Sequence, residues 1–153
     1  MRVKLKRLPQ WNVERRESAS RYGRLFESAT DLLTVPYEPE HAKSVYHVYV
    51  VRVCGRDQLR ADLAGAGISA QIHYPTPLHL QQAYADLGYQ EGDLPVAEAI
   101  AAEIISLPMY PGLTSFQQKR VVASVIESVS PSTPVGGRVG SPVGDQMSAV
   151  PPL

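Results

Sequence analysis

The chain has 153 residues, equal numbers of basic (Lys, Arg) and acidic (Asp, Glu) side chains at 15 each, and 44% hydrophobic residues. That length bounds it to one domain or less, with enough apolar side chains for a core. No apolar run reaches the roughly 20 residues of a membrane span, the charged start lacks an apolar stretch of signal-peptide length, and a single cysteine, Cys54, excludes an internal disulfide framework. The expected setting is therefore a soluble cytoplasmic protein with no membrane partner.

Charge is uneven. Over the first 24 residues Arg2, Lys4, Lys6, Arg7, Arg15, Arg16, Arg21 and Arg24 are opposed only by Glu14 and Glu17. No aromatic or motif context of a DNA or RNA reader accompanies them, so nucleic acid is not an expected partner. The alternatives are a solvated helix face or a face covered by an acidic partner.

Residues 9–29 read as a helix with Pro9 in its first turn and an apolar stripe at Tyr22, Leu25, Phe26 and Ala29. If the helix runs back through Val3 and Leu5, Pro9 should kink it. Pro36 and Pro39 make the next stretch a connector. Residues 44–54 read as a strand. Val45, His47, Tyr49, Val51 and Val53 share one face, and the other face is largely apolar too, which predicts cover on both sides. His47 is expected to be packed and hydrogen-bonded, and Cys54 to be a small core residue.

Asp57 is the expected N-cap of a helix running to about Ala66, which carries Leu59 and Leu63 one turn apart. Gly67 fits the left-handed position after it. Gly65-x-Gly67-x-x-Ala70 imitates a dinucleotide fingerprint but leads from helix to strand, the reverse of the required order. Further on, Asp93 and Pro95 predict a helix start, Ala97, Ile100, Ala101 and Ile104 a buried stripe, and residues 107–110 a short strand. Thr114-x-x-Gln117 is a capping box opening a last helix with Val122, Val125, Ile126 and Val129 at helical spacing. From residue 130 on, proline and glycine interrupt every element, and a disordered tail is expected.

Between these elements lies the stretch that carries chemistry, Ile68-Ser69-Ala70-Gln71-Ile72-His73-Tyr74-Pro75-Thr76-Pro77-Leu78-His79-Leu80. It alternates apolar and polar like a strand, then two prolines hold it extended. His73, Tyr74 and His79 are thus set on a stiff segment leaving a sheet. Read from the residues alone, they are either an ordinary strand exit with surface histidines or part of a site. No cysteine or acidic third ligand is nearby in sequence for zinc, so no metal is assigned.

The same stretch, Ile72-His73-Tyr74-Pro75-x-Pro77-Leu78-His79-Leu80 followed by Tyr84-x-x-Leu87-Gly88-Tyr89, resembles the C-terminal domain of the DegT/DnrJ/EryC1/StrS family of pyridoxal-phosphate-dependent sugar aminotransferases. Leu8-Pro9-Gln10-Trp11-Asn12-x-x-Arg15-Arg16 resembles its linker helix, and Tyr46-His47-x-Tyr49-Val50-Val51-Arg52 the first strand of its small domain. Leu94-Pro95-Val96-Ala97-Glu98 and Ser106-Leu107-Pro108-Met109-Tyr110-Pro111 resemble the elements that follow. The likeness runs in order over about residues 3–128.

It implies an α+β fold, the small C-terminal domain of a fold-type I enzyme, with about three strands, helices on one face and a long linker helix in front. It divides the chain into a linker helix at 1–30, the small domain at 31–129 and the tail at 130–153. The family moves an amino group from an amino acid such as glutamate to a keto-sugar nucleotide, typically as a homodimer, in deoxyamino-sugar or polysaccharide synthesis. The resemblance implies substrate-binding roles for His73, Tyr74 and His79 and no catalytic residue. The available lysines, Lys4, Lys6, Lys43 and Lys119, do not stand in the family's cofactor-lysine motif, so pyridoxal phosphate is not expected to bind these residues alone. The expectation is a C-terminal fragment, a gene with a mis-assigned start at Met1 or half of a split enzyme, inactive by itself. The alternative is a stand-alone interaction or ligand-binding module that keeps the small-domain fold.

Overall fold

The computed structural model of the chain describes residues 2–130. The tail expected to be disordered lies, from residue 131 on, outside the described residues. Helix α1 (Arg2–Leu5) and helix α2 (Leu8–Phe26) are separated by a turn at Lys6 and Arg7. Pro9 sits in the first turn of α2, where its missing N–H is not needed. The second half of α2 and the 3₁₀ turn after it bury Tyr22, Phe26 and Ala29 of the stripe read from the sequence, while Leu25 is half-buried.

Strand β1 (Tyr49–Arg52) is shorter than the expected 44–54. Its first residue pairs with Leu107, and Tyr46 just before it has a left-handed backbone, φ 45°, so residues ahead of Tyr49 have no ladder to join. Tyr49, Val51 and Val53 are buried, but Val45 and His47 are exposed. The expected packing of His47 is thereby corrected. Cys54 is also exposed, because the chain has left the strand and begun to turn there. The far face of β1 is only partly covered, with Val50 half-buried and Arg52 exposed.

Helix α3 (Arg56–Gly65) is capped by Gly55 in a left-handed conformation, φ 73°, rather than by Asp57. Asp57 lies inside the first turn, where its carboxylate suits the helix dipole and pairs with the Arg56 Nε at 2.9 Å. At the other end Gly67 has φ 71°, and Ile68 and Gly67 donate to the carbonyls of Leu63 and Ala64. That is a Schellman motif, as the glycine predicts.

Helix α4 (Pro95–Glu103) runs straight into strand β2 (Ile104–Leu107), which starts three residues before the expected 107–110. Strands β1 and β2 are antiparallel, Tyr49 opposite Leu107 and Arg52 opposite Ile104. The expected third strand is reduced to one bridge. Gln71 and Ser106 exchange both backbone hydrogen bonds, at 3.1 and 2.7 Å, and Pro75 lies too near for the ladder to continue far. Thr34 makes a like bridge to Arg52 on the outer side of β1. The expected stripe of α4 is also thinner than read: Ala101 is buried, Ile100 and Ile104 are half-buried and Ala97 is exposed. This helix sits at the edge of the core, its last carbonyls taken by the buried Arg56 guanidinium, which donates to Ala101 and Ile104.

Helix α5 (Ser115–Val129) opens on the capping box, Thr114 Oγ1 accepting from the Gln117 N–H and the Gln117 side chain accepting from the Thr114 N–H. It packs Val121, Val122 and Val125 against α2 and α3. Gln118 is fully buried among them. Its Nε2 donates to the Ser18 carbonyl at 2.8 Å and its Oε1 accepts from Arg21. The Tyr22 ring lies 4.8 Å from that of Tyr49 and its hydroxyl donates to the Pro108 carbonyl. Burial pushes both phenols well above the usual tyrosine range. The result is a small α+β body with its core between the short sheet and α2, α3 and α5.

Candidate functional site

The bridge at Gln71 fixes where the histidine stretch leaves the sheet. Two residues on, His73 Nδ1 lies 2.9 Å from Ser106 Oγ, a buried hydroxyl on β2. His73 lines a shallow pocket of about 180 Å³ with His47, Ser69, Gln71 and Met109. The next peptide, His73–Tyr74, is cis. Tyr74 is 70% exposed, its ring edge-on to the His73 imidazole at 5.8 Å, and it borders a second open pocket of about 340 Å³ with Pro75, Thr76 and Leu80.

His73 and Tyr74 are thus brought together on an open face. His79 is not. It is only 8% exposed, and its Nε2 stands 2.9 Å from Glu98 Oε1, with the Tyr89 ring edge-on at 6.1 Å. A carboxylate can only accept, so the imidazole proton is on Nε2. The His79 hydrogen bond, then the Gly92 N–H, then that of Leu94, hold the Glu98 carboxyl below the usual carboxylate range.

Glu98 went unassigned in the sequence reading. It, not Asp93, closes the start of α4: both its oxygens accept from the Gly92 N–H, at 3.0 and 2.9 Å, and Oε1 accepts from the Leu94 N–H at 3.2 Å. Asp93 instead accepts from the Gln90 N–H in the preceding turn. The signal was present, since a glutamate in the first turn after a helix-starting proline is a cap candidate.

A larger groove among the described residues, of about 800 Å³, lies elsewhere, beside α2. Arg16, Arg21 and Arg24 from the basic start line it with Lys43, Glu17 and Glu38. Glu38 is tied to the Ser44 N–H, the Tyr46 hydroxyl and Arg16.

A pyridoxal phosphate site needs an enclosed lysine amine, a phosphate cradle and an acid for the ring nitrogen. Lys4, Lys6, Lys43 and Lys119 are all exposed, and Glu38, which lines the same groove as Lys43, is already committed to its own hydrogen bonds. The residues described do not fit that cofactor. Among them there is also no cluster of three or more potential metal ligands, and no helix long and apolar enough to cross a membrane.

Comparison with known proteins decides the family. The model of the DegT/DnrJ/EryC1/StrS aminotransferase family matches residues 1–126. The chain belongs to the DegT/DnrJ/EryC1/StrS aminotransferase family. It is similar to the pleiotropic regulatory protein of Geobacillus stearothermophilus, 45% identical over 126 residues, 82% of this chain and 34% of that protein. It is similar also to dTDP-3-amino-3,4,6-trideoxy-alpha-D-glucose transaminase of Micromonospora megalomicea, 40% identical over 85% of this chain and 36% of that one. Among solved structures S. venezuelae DesV superposes with a TM-score of 0.79 at 35% identity, covering 85% of this chain and 35% of DesV. The chain spans about a third of the length of the relatives it matches. The aminotransferases of the family are pyridoxal-phosphate enzymes, and several named relatives act on dTDP- or UDP-linked sugars.

Proposed function

We propose that these residues form the substrate-closing small domain of a sugar-nucleotide aminotransferase. That enzyme transfers an amino group from an amino acid such as glutamate to a keto-sugar nucleotide and works as a homodimer. Residues 1–30 serve as the helix linking this domain to the part that holds pyridoxal phosphate. The cofactor, when bound there, supplies the electron sink for amino transfer. The residues described here bind and orient. His73 and Tyr74 meet the sugar nucleotide on their open face, and His79 supports the segment from beneath. The observation that carries this reading is the pairing of His73 and Tyr74 on an open face, within the residues that the family model matches.

The test is a titration of the chain with dTDP followed by NMR at the His73 imidazole and Tyr74 ring. Saturable shifts at both are expected, and their absence overturns the reading. Pyridoxal phosphate followed by borohydride should leave no stoichiometric adduct on Lys4, Lys6, Lys43 or Lys119. One fully labelled lysine would show that the cofactor does bind here.

A second reading, an interaction module, is favoured by the exposed Val3, Leu5, Leu8 and Val13 along α1 and α2. A monodisperse monomer by analytical ultracentrifugation, with no dTDP-dependent shift, would leave that reading standing alone.

A further inference from the structure

We propose that Glu98 is a positioning residue for the ligand-facing segment: through His79 and the amides of Gly92 and Leu94 it fixes where His73 and Tyr74 stand. The inference rests on the reading of His73 and Tyr74 as substrate contacts.

From residue 71 to 96 His79 alone is buried, so apolar packing contributes little to holding this long excursion in place. What holds it is polar. Glu98 takes His79 from the middle of the excursion and Gly92 and Leu94 from its far side, so that one carboxylate closes the loop between residues 79 and 94. The helix that carries it, α4, continues without a break into β2, and β2 presents Ser106 to His73. The segment from His73 to His79 is therefore anchored at its start by Ser106 and at its end by Glu98, two points on one rigid helix-strand unit. Pro75 and Pro77 stiffen the five residues between, so a shift at His79 is passed to Tyr74 rather than absorbed.

The chemistry requires an anion. A carboxylate offers only acceptors to three N–H groups. Glu98→Gln keeps the size but leaves one acceptor oxygen and turns an NH₂ toward donors. In the full 153-residue chain carrying Glu98→Gln, the low-field His79 Nε2–H signal should vanish. Exchange of the Gly92 and Leu94 amides should accelerate about tenfold, the size expected from one lost charged hydrogen bond. The His73 and Tyr74 signals should move, and the affinity for dTDP should fall by a similar factor. The amides of Val51 and Val125 in the core should stay where they are, which a general loss of stability would not allow.

If the His79 signal vanishes while His73 and Tyr74 keep their wild-type shifts, Glu98 is a local cap only and the proposal is overturned. Should Glu98→Gln not fold, His79→Gln serves as the second variant: it removes the same tie from the other side and must displace the Tyr74 signal, or the proposal fails. If the wild-type chain does not bind dTDP at all, the substrate reading falls. The positions of the His73 and Tyr74 signals still decide whether Glu98 sets them.

Discussion

Helices α2 and α5 and the two strands bury Tyr22, Phe26, Tyr49, Ile105, Val121, Val122 and Val125, whereas the excursion over residues 71–96 buries His79 alone. The first region is held by area removed from water, roughly 25 cal/mol per Å². The second is held by a few hydrogen bonds converging on Glu98 and Ser106. A region of the second kind can be re-aimed without unfolding the first, which is what a binding loop on a rigid scaffold requires.

The contrast predicts where substitutions bite. Phe26 is 1% exposed and stacks on Tyr22 at 6.1 Å. Phe26→Ala should cost about 3–5 kcal/mol, close to the whole stability of a small domain. Urea denaturation followed by circular dichroism would read it, and a loss below 1 kcal/mol would break the claim that this core carries the fold. Gln118→Ala comes next, at about 1–3 kcal/mol, because it strands the Ser18 carbonyl and the Arg21 guanidinium beside a new cavity. Gln118→Met should recover part of that loss by refilling the volume while leaving the polar debt, and a full recovery would show that only packing mattered there.

Acid should separate the two regions. The folded-state pKa of Glu98 lies below its ordinary value of 4.5, chiefly through His79. Its stabilisation is therefore complete above about that pH and is lost as pH falls through the lower folded value. Glu38, held down mainly by the Ser44 N–H, has the same sign but ties the connector to α2 instead. Amide exchange at Gly92 and Leu94, corrected for intrinsic rates, should rise below pH 4.5 while Val51 and Val125 remain protected. Simultaneous loss at all four would mean that loop and core are one cooperative unit.

The two regions were also unequally legible. Where a local rule decides, the chain announced its structure: the Tyr22–Phe26–Ala29 stripe, Pro9 in a first turn, Gly67 after α3, and the Thr114–Gln117 box. Where a distant partner decides, it did not. The pattern over 44–54 reads as a long strand, yet pairing begins only where Leu107 faces Tyr49, so His47 and Cys54 fall outside it. Strand β2 and the bridge at Gln71 were misjudged in extent for the same reason. That His73, Tyr74 and His79 share one proline-stiffened segment was legible in the sequence. That His79 turns inward to Glu98, 19 positions away, was not, since nothing local distinguishes an imidazole facing a pocket from one facing a carboxylate.

Tyr74→Ala gives the smallest effect on stability and the sharpest test of the contrast. The ring is 70% exposed and its one aromatic neighbour is His73, so its removal should change the unfolding free energy by no more than about 0.5 kcal/mol. A residue so poorly packed gains little for the fold, and a bare aromatic edge on a segment stiffened by Pro75 and Pro77 suits the ligand contact proposed above. The same substitution should therefore weaken dTDP binding about tenfold while leaving the urea midpoint unchanged. If stability and affinity fall together, Tyr74 belongs to the core after all. If neither moves, the proposal that the open face of this segment meets a sugar nucleotide falls.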